Sequence, residues 1–258
     1  MSSTLTYAQF HAIYVLPVLA VLMATVHHRR DRVDWRVSGA GLLIVTILAV
    51  VYTTPWDRLL IEMGVWSYGA NTVAGRLWGV PYEEILFFVL QPVLTTLWTV
   101  HVVGPVAAVP GHSWRDRAIG AGAGLSVGLV GVGLLTAQST VYFGALLAWA
   151  GPVLALQWAV GWRYLVRTRA RVALGVLVPS AYLWVVDRLA IEAGVWTIAD
   201  TYTTGFAVAG LPIEEMCFFV VTNLFVVQGI VLFRWVVHRW RPAGVRDTPP
   251  TAVSHRWR

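Results

Sequence analysis

Seven apolar stretches, each close to the length of a bilayer crossing, leave this chain few ways to fold. They lie near residues 5–26, 37–52, 81–103, 118–137, 141–162, 172–186 and 211–237. About 20 residues of α-helix cross a hydrocarbon core, and a backbone in lipid has to satisfy its own hydrogen bonds, so each stretch reads as a transmembrane helix. The second and sixth are short for that task, which predicts that their ends run on into the segments beginning Pro55 and Asp187. Composition agrees, since only 12% of the 258 residues are charged and 57% are hydrophobic, against about a quarter charged in soluble domains. The first stretch is long and is followed by His27-His28-Arg29-Arg30, the flank of an anchor and not of a cleaved signal. A single cysteine, Cys217, excludes an internal disulfide framework, and no histidines recur at metal-ligand spacing, so no metal site is expected.

A formal charge of +6 raises the question of nucleic acid, and the placement of the cations answers it. All 19 basic residues are arginine. Threading seven helices through a membrane puts 16 of them on one side and leaves Arg58, Arg76 and Arg188 on the other. The positive-inside rule then sets the N-terminus outside and the C-terminus in the cytoplasm of a multi-pass cell-membrane protein. The charge orients the chain in the lipid bilayer and gives no reason to invoke nucleic acid. The basic tail, 239–258, is expected to be cytoplasmic and disordered.

The chain also contains itself twice. Asp57-Arg58-Leu59, Ile61-Glu62 and Gly64-Val65-Trp66 recur 130 residues later as Asp187-Arg188-Leu189, Ile191-Glu192 and Gly194-Val195-Trp196. After a loop one residue longer, Pro81, Glu83-Glu84 and Phe87-Phe88 recur as Pro212, Glu214-Glu215 and Phe218-Phe219. Pro17-Val18-Leu19-Ala20 is echoed by Pro152-Val153-Leu154-Ala155. The expected fold is therefore all-α and integral to the membrane: two parallel three-helix repeats, 1–110 and 139–238, joined by a linker with a spacer helix, 111–138. Gly124 and Gly128 in that spacer suit close helix packing.

Eight of the 13 acidic residues belong to the repeated motif: Asp57, Glu62, Glu83, Glu84, Asp187, Glu192, Glu214 and Glu215. Ionisable groups bordering hydrocarbon face a cavity or a partner, so this concentration marks a functional site. Adjacent helical residues diverge by about 100°, so one glutamate of each pair can face a site while the other braces it. The helix N-terminus favours a carboxylate there, whereas desolvation and the neighbouring charge favour the neutral acid; in a dry site the second pair wins and leaves a proton donor. Arg58 with Glu62, and Arg188 with Glu192, have the spacing of helical ion pairs, leaving Asp57 and Asp187 on another face. Of the aromatics near the acids, Trp66, Phe87, Phe88, Trp196, Phe218 and Phe219 repeat, and their ring faces could stabilise a cation. Gln91 and Asn223, deep in their helices, read as helix-to-helix hydrogen bonds.

These residues match a known pattern. Paired Pro-x-Glu-Glu-x-x-Phe-Phe motifs, each preceded by Asp-Arg-Leu-x-Ile-Glu-x-Gly-Val-Trp, resemble the membrane lycopene β-cyclases, which are heterodimeric in some bacteria and fused into one chain in haloarchaea and fungi. The likeness covers nearly the whole chain from Leu5 to Val237. The resemblance implies conversion of the linear ψ ends of lycopene, and of related linear carotenoids, to β-ionone rings by way of γ-carotene to β-carotene, a precursor of retinal. It implies Glu83, Glu84, Glu214 and Glu215 as the acid–base groups. Unlike the flavin-dependent cyclases, the chain shows no nucleotide fold, and no cofactor is expected. Oligomeric state is left open. A seven-helix retinal photoreceptor fails because the sequence has no lysine for a Schiff base. A Glu-Glu intramembrane protease lacks the arginine and paired histidines that its motif expects. A non-catalytic carotenoid-binding protein would use the aromatics without needing the acids.

Overall fold

The computed structural model describes residues 5–27, 34–104, 106 and 111–240. The expected tail beyond residue 240, and the basic run from His28 to Arg32, lie outside the described residues. Among the described residues, seven helices are long and apolar enough to cross a membrane. They are α1 (Tyr7–His27), α2 (Trp35–Met63), α3 (Tyr82–Val102), α4 (Trp114–Leu134), α5 (Val141–Arg167), α6 (Arg169–Glu192) and α7 (Ile213–Trp240). The second and sixth run on past Pro55 and Asp187 as expected, so both aspartates stand on the last turns of their helices.

Each of those two helices stops by the same device, and the device explains the Gly-Val-Trp of the motif. Gly64 and Gly194 take φ of 75° and 70°, a left-handed conformation in which a Cβ would crowd the following carbonyl. The next residue, Val65 or Val195, returns its N–H to Leu60 or Ala190 and buries its side chain completely. The chain then enters a short strand. Strands β1 (Trp66–Tyr68), β2 (Arg76–Leu77), β3 (Val80–Pro81), β4 (Trp196–Ile198), β5 (Ala207–Val208) and β6 (Leu211–Pro212) form three two-stranded ribbons. Two are tight hairpins that lead into α3 and α7, turning on Trp78-Gly79 and Ala209-Gly210, all four with positive φ.

The third ribbon joins distant parts of the chain. Strand β1 pairs antiparallel with β4, with Trp66 opposite Ile198, Ser67 opposite Thr197 and Tyr68 opposite Trp196. Ser67 and Thr197, which correspond in the two copies of the motif, meet side chain to side chain at 3.0 Å.

Beneath the ribbons the helices are tied at two levels. In α4, methyl groups added at Gly120, Gly124 or Gly131 would overlap the backbone of Trp158, Ala155 or Ala148 on α5, so only glycine allows this approach. Deeper in the bundle Asn223 on α7, fully buried, accepts from Gln91 Nε2 (2.6 Å) and Thr95 Oγ1 (2.5 Å) on α3 and donates to Ser180 Oγ (3.0 Å) on α6. Gln91 and Asn223 thus form the interhelical bonds expected of them.

Candidate active site

At the ribbon end of the bundle the acidic motif residues separate into three groups. Arg58 pairs with Glu62 at 2.6 Å and Arg188 with Glu192 at 2.7 Å, each four residues apart on an outer helix face with both glutamates exposed. These are ordinary surface ion pairs, worth little to stability on their own.

Glu83 and Glu214 form the second group, turned toward the loops that precede them. Glu83 is buried and its Oε1 accepts the Ala74 N–H at 2.8 Å. Glu214, with no exposed surface, accepts the Thr204 N–H at 2.7 Å and its hydroxyl at 2.6 Å. Each carboxylate lies in the first turn of a helix, where the N-terminal N–H groups favour an acid, and pins a loop to that turn. His11 adds a tie on the first side by donating from Nε2 to the Glu83 carbonyl at 2.9 Å.

Glu84, Glu215, Asp57 and Asp187 form the third group, and all four line one narrow cavity of about 50 Å³. The step of about 100° between neighbours on a helix turns Glu84 inward as Glu83 turns out, and Glu215 inward as Glu214 turns out. Asp57 lies within electrostatic reach of both Glu84 and Glu215, and so does Asp187. Both aspartates are almost completely buried, and the Oδ2 of each has no hydrogen-bond partner. The Oε2 of Glu83 and of Glu214 is likewise buried and unpartnered, so what sets the aspartates apart is their place in the wall of the cavity with Glu84 and Glu215.

Aromatic residues make up most of the remaining wall. Trp66, Trp196, Phe87, Phe218 and Phe219, expected at the site, all line the cavity, whereas Phe88 faces a neighbouring apolar space. The β1–β4 ribbon closes the cavity from above, placing Trp66 and Tyr68 beside Trp196 and Ile198. Trp196 also donates its indole N–H to Asp187 Oδ1 at 3.2 Å. The described residues contain no grouping of histidine, cysteine and acids suited to a metal ion.

Three tyrosines reach the glutamates: Tyr68, one of the aromatics near the acids in the sequence, and Tyr7 and Tyr142, which the sequence did not single out. Glu84 Oε2 accepts from the phenols of Tyr7 (2.8 Å) and Tyr68 (3.0 Å), and Glu215 Oε2 accepts from Tyr142 (2.6 Å). Burial, followed by the charge of Glu84, holds the Tyr68 phenol well above its usual range, so it stays a neutral donor. A sequence signal for two of them existed: the offset of 135 that aligns Pro17 with Pro152 also aligns Tyr7 with Tyr142.

A profile described as lycopene cyclase matches residues 6–102 and 139–233, leaving out only α4 and its flanks between them. The chain belongs to the lycopene cyclase family. It is 51% identical over 240 residues to a lycopene beta-cyclase of Halobacterium salinarum, covering 92% of this chain and 100% of that one. It is 32% identical to a bifunctional lycopene cyclase/phytoene synthase of Podospora anserina and 33% identical to one of Sporisorium reilianum. Those alignments cover 88% and 98% of this cyclase-family chain but 40% and 38% of the fungal proteins. No solved structure matches.

Proposed function

We propose that this chain is a lycopene β-cyclase that closes linear ψ ends to β-ionone rings, taking lycopene through γ-carotene to β-carotene. The observation that carries the reading is the convergence of four motif carboxylates on one aromatic-walled cavity in a chain of this family.

The reaction is an isomerisation and needs no oxidant. A carboxylic acid protonates the terminal double bond and leaves a tertiary cation. The internal double bond attacks that carbon, forming the ring bond and moving the positive charge into the ring. A carboxylate removes a ring proton, and the electron pair left behind becomes the ring double bond. Proton given and proton taken balance. Glu84, Glu215, Asp57 and Asp187 are the groups placed to exchange those protons, and acid–base catalysis of this type is worth about 10²- to 10⁴-fold. The faces of Trp66, Trp196, Phe87 and Phe218 present negative π-charge to the cation, and the ribbon roof keeps out water that would trap it as an alcohol. Glu83 and Glu214 position the loops and do not touch the substrate.

The same reading treats 1–110 and 139–238 as two modules building one shared site, with 111–138 as the linker. Support comes from the self-matched Ser67 and Thr197 at the centre of the ribbon, and from corresponding tyrosines on corresponding glutamates. The site lies at the outer membrane face if the arginine distribution sets the topology.

The test is expression in a lycopene-accumulating bacterium. The intact protein turns red cells orange with β-carotene, and Glu84→Gln and Glu215→Gln each lower product at least about 100-fold. Cells that stay red with the intact protein, or that make β-carotene with all four carboxamide variants, including Asp57→Asn and Asp187→Asn, overturn the reading.

A further inference from the structure

A second, larger space adjoins the acid cavity and is unused by the chemistry described so far. It is an apolar groove of about 330 Å³ between α2, α3, α5 and α7, and Phe87 and Phe218 line both it and the acid cavity. At the upper end α2 and α5 are clasped: the Tyr52 hydroxyl donates to the Trp149 carbonyl at 2.9 Å, and Trp56 donates to the Ala145 carbonyl at 3.2 Å. Trp149 stacks on Trp56, and Trp56 on Phe218, so this aromatic wall continues from one space to the other. Below the clasp residues of both helices line the groove, and α7 contributes its floor, from Phe218 to Val226. Eight residues of helix make that floor about 12 Å long. Toward its far end Val45 and Gln157 both come close to Gly229 and narrow it. The outward side is open where lipid would lie, at Leu48 (57% exposed) and Leu156 (66% exposed).

Most polar groups along the groove are bonded within the protein, the Gln157 Oε1 being a buried oxygen without a partner. Gln91 is engaged with Thr95 and Asn223, Thr222 donates to the Phe218 carbonyl, and the Gln157 amide donates to the Phe225 carbonyl. What remains is a slot of aromatic and aliphatic surface with no charged side chain, open to the bilayer and ending at the two phenylalanines.

We propose that this groove is the binding site for the polyene stem of the substrate, which enters sideways from the bilayer between α2 and α5 and passes Phe87 and Phe218 to place its end group among the carboxylates. This rests on the cyclase reading and adds the route and the order of events. A groove of about 12 Å accommodates only part of a long linear carotenoid. The far end group therefore stays in the lipid while the near one is cyclised, and the molecule has to leave and return reversed for its second ring. One end per visit makes the monocyclic product a released intermediate.

The experiment uses the full chain in lipid nanodiscs with lycopene as the probe. Ala49→Trp and Val153→Trp fill the groove from opposite walls, and Leu129→Trp, on the lipid-facing side of α4, is the control. Turnover should fall at least tenfold in the first two and stay within twofold in the control. Because a bulky residue could disturb folding, a second measurement uses Ala49→Cys in a Cys217→Ser background. Lycopene should slow its alkylation severalfold, and should leave that of Leu129→Cys in the same background unaffected. Groove-filled variants that cyclise at the intact rate, or alkylation at Ala49→Cys that lycopene does not slow, would show that the groove holds only lipid tails and end the proposal. An intact protein that fails to convert lycopene yet is protected at Ala49→Cys overturns the cyclase reading and leaves the groove assignment standing.

Discussion

The two sides of the acid cavity carry the same motif and are wired differently. On one side Glu84 accepts two phenols, Tyr7 and Tyr68; on the other Glu215 accepts one, Tyr142. The reason lies in one strand position. Tyr7 and Tyr142 correspond in the two copies, but the counterpart of Tyr68 on β4 is Ile198, which has nothing to donate. The second side holds its aspartate through an indole, from Trp196 to Asp187 Oδ1. A duplicated acid pair inside one shared cavity is thus free to divide labour. On the proposed cyclase reading, Glu84, with one oxygen already engaged by two donors, suits the base that receives a proton, and Glu215, with one donor, keeps more of its capacity for exchange with substrate.

The largest expected effect tests whether the two sides form one site. In a shared cavity, Glu84→Gln or Glu215→Gln alone stops the first ring as well as the second, so lycopene persists and γ-carotene does not accumulate. Chromatography of the extracted pigments reads this directly, and γ-carotene made at the intact rate in either variant would mean two independent sites. Next in size is the tyrosine comparison. Tyr142→Phe removes the one phenol on Glu215 and should cost about 10- to 100-fold in turnover, the worth of a hydrogen bond to a charged group. Tyr68→Phe leaves Tyr7 on Glu84 and should cost only about threefold. Equal losses would erase the asymmetry. Smaller again are Glu83→Gln and Glu214→Gln, which keep the Oε1 acceptor for Ala74 or Thr204 and should stay within about tenfold of intact turnover. If they lose as much as Glu84→Gln, the separation of positioning from proton transfer is wrong. Smallest is Ser67→Ala or Thr197→Ala, which deletes one exposed bond of the ribbon. It should lower thermal stability by less than about 1 kcal/mol, equally from either side.

Much of this molecule was legible in its sequence. The seven helices follow from apolar length alone, and the extension of α2 and α6 past Pro55 and Asp187 from the shortage of residues in their apolar runs. Other features were hidden for identifiable reasons. The hairpins turn on Trp78 and Ala209 at positive φ, a conformation those residues seldom adopt, so no turn signal preceded Gly79 and Gly210. The pairing of β1 with β4 spans 130 residues and involves three residues a side, too short for any alternation to show. Which glutamate of each pair faces inward depends on how α3 and α7 are rotated against their neighbours, and local spacing carries no record of that. Tyr7 went unnoticed because the offset linking it to Tyr142 is sparse, with Phe10 and His11 falling opposite Ala145 and Leu146.

The ribbon over the cavity also bears on the order in which the protein is made. Strand β1 emerges from the ribosome early, and its ladder partner, β4, follows after four further helices have been synthesised. Contacts so far apart in sequence form slowly, because a long loop has to close before they are rewarded. Until then Asp57 and Glu84 lack the ribbon residues that wall their cavity in the folded chain. On the proposed reading, reactivity thereby waits for two late events, the pairing of β1 with β4 and the arrival of α7 with Glu215.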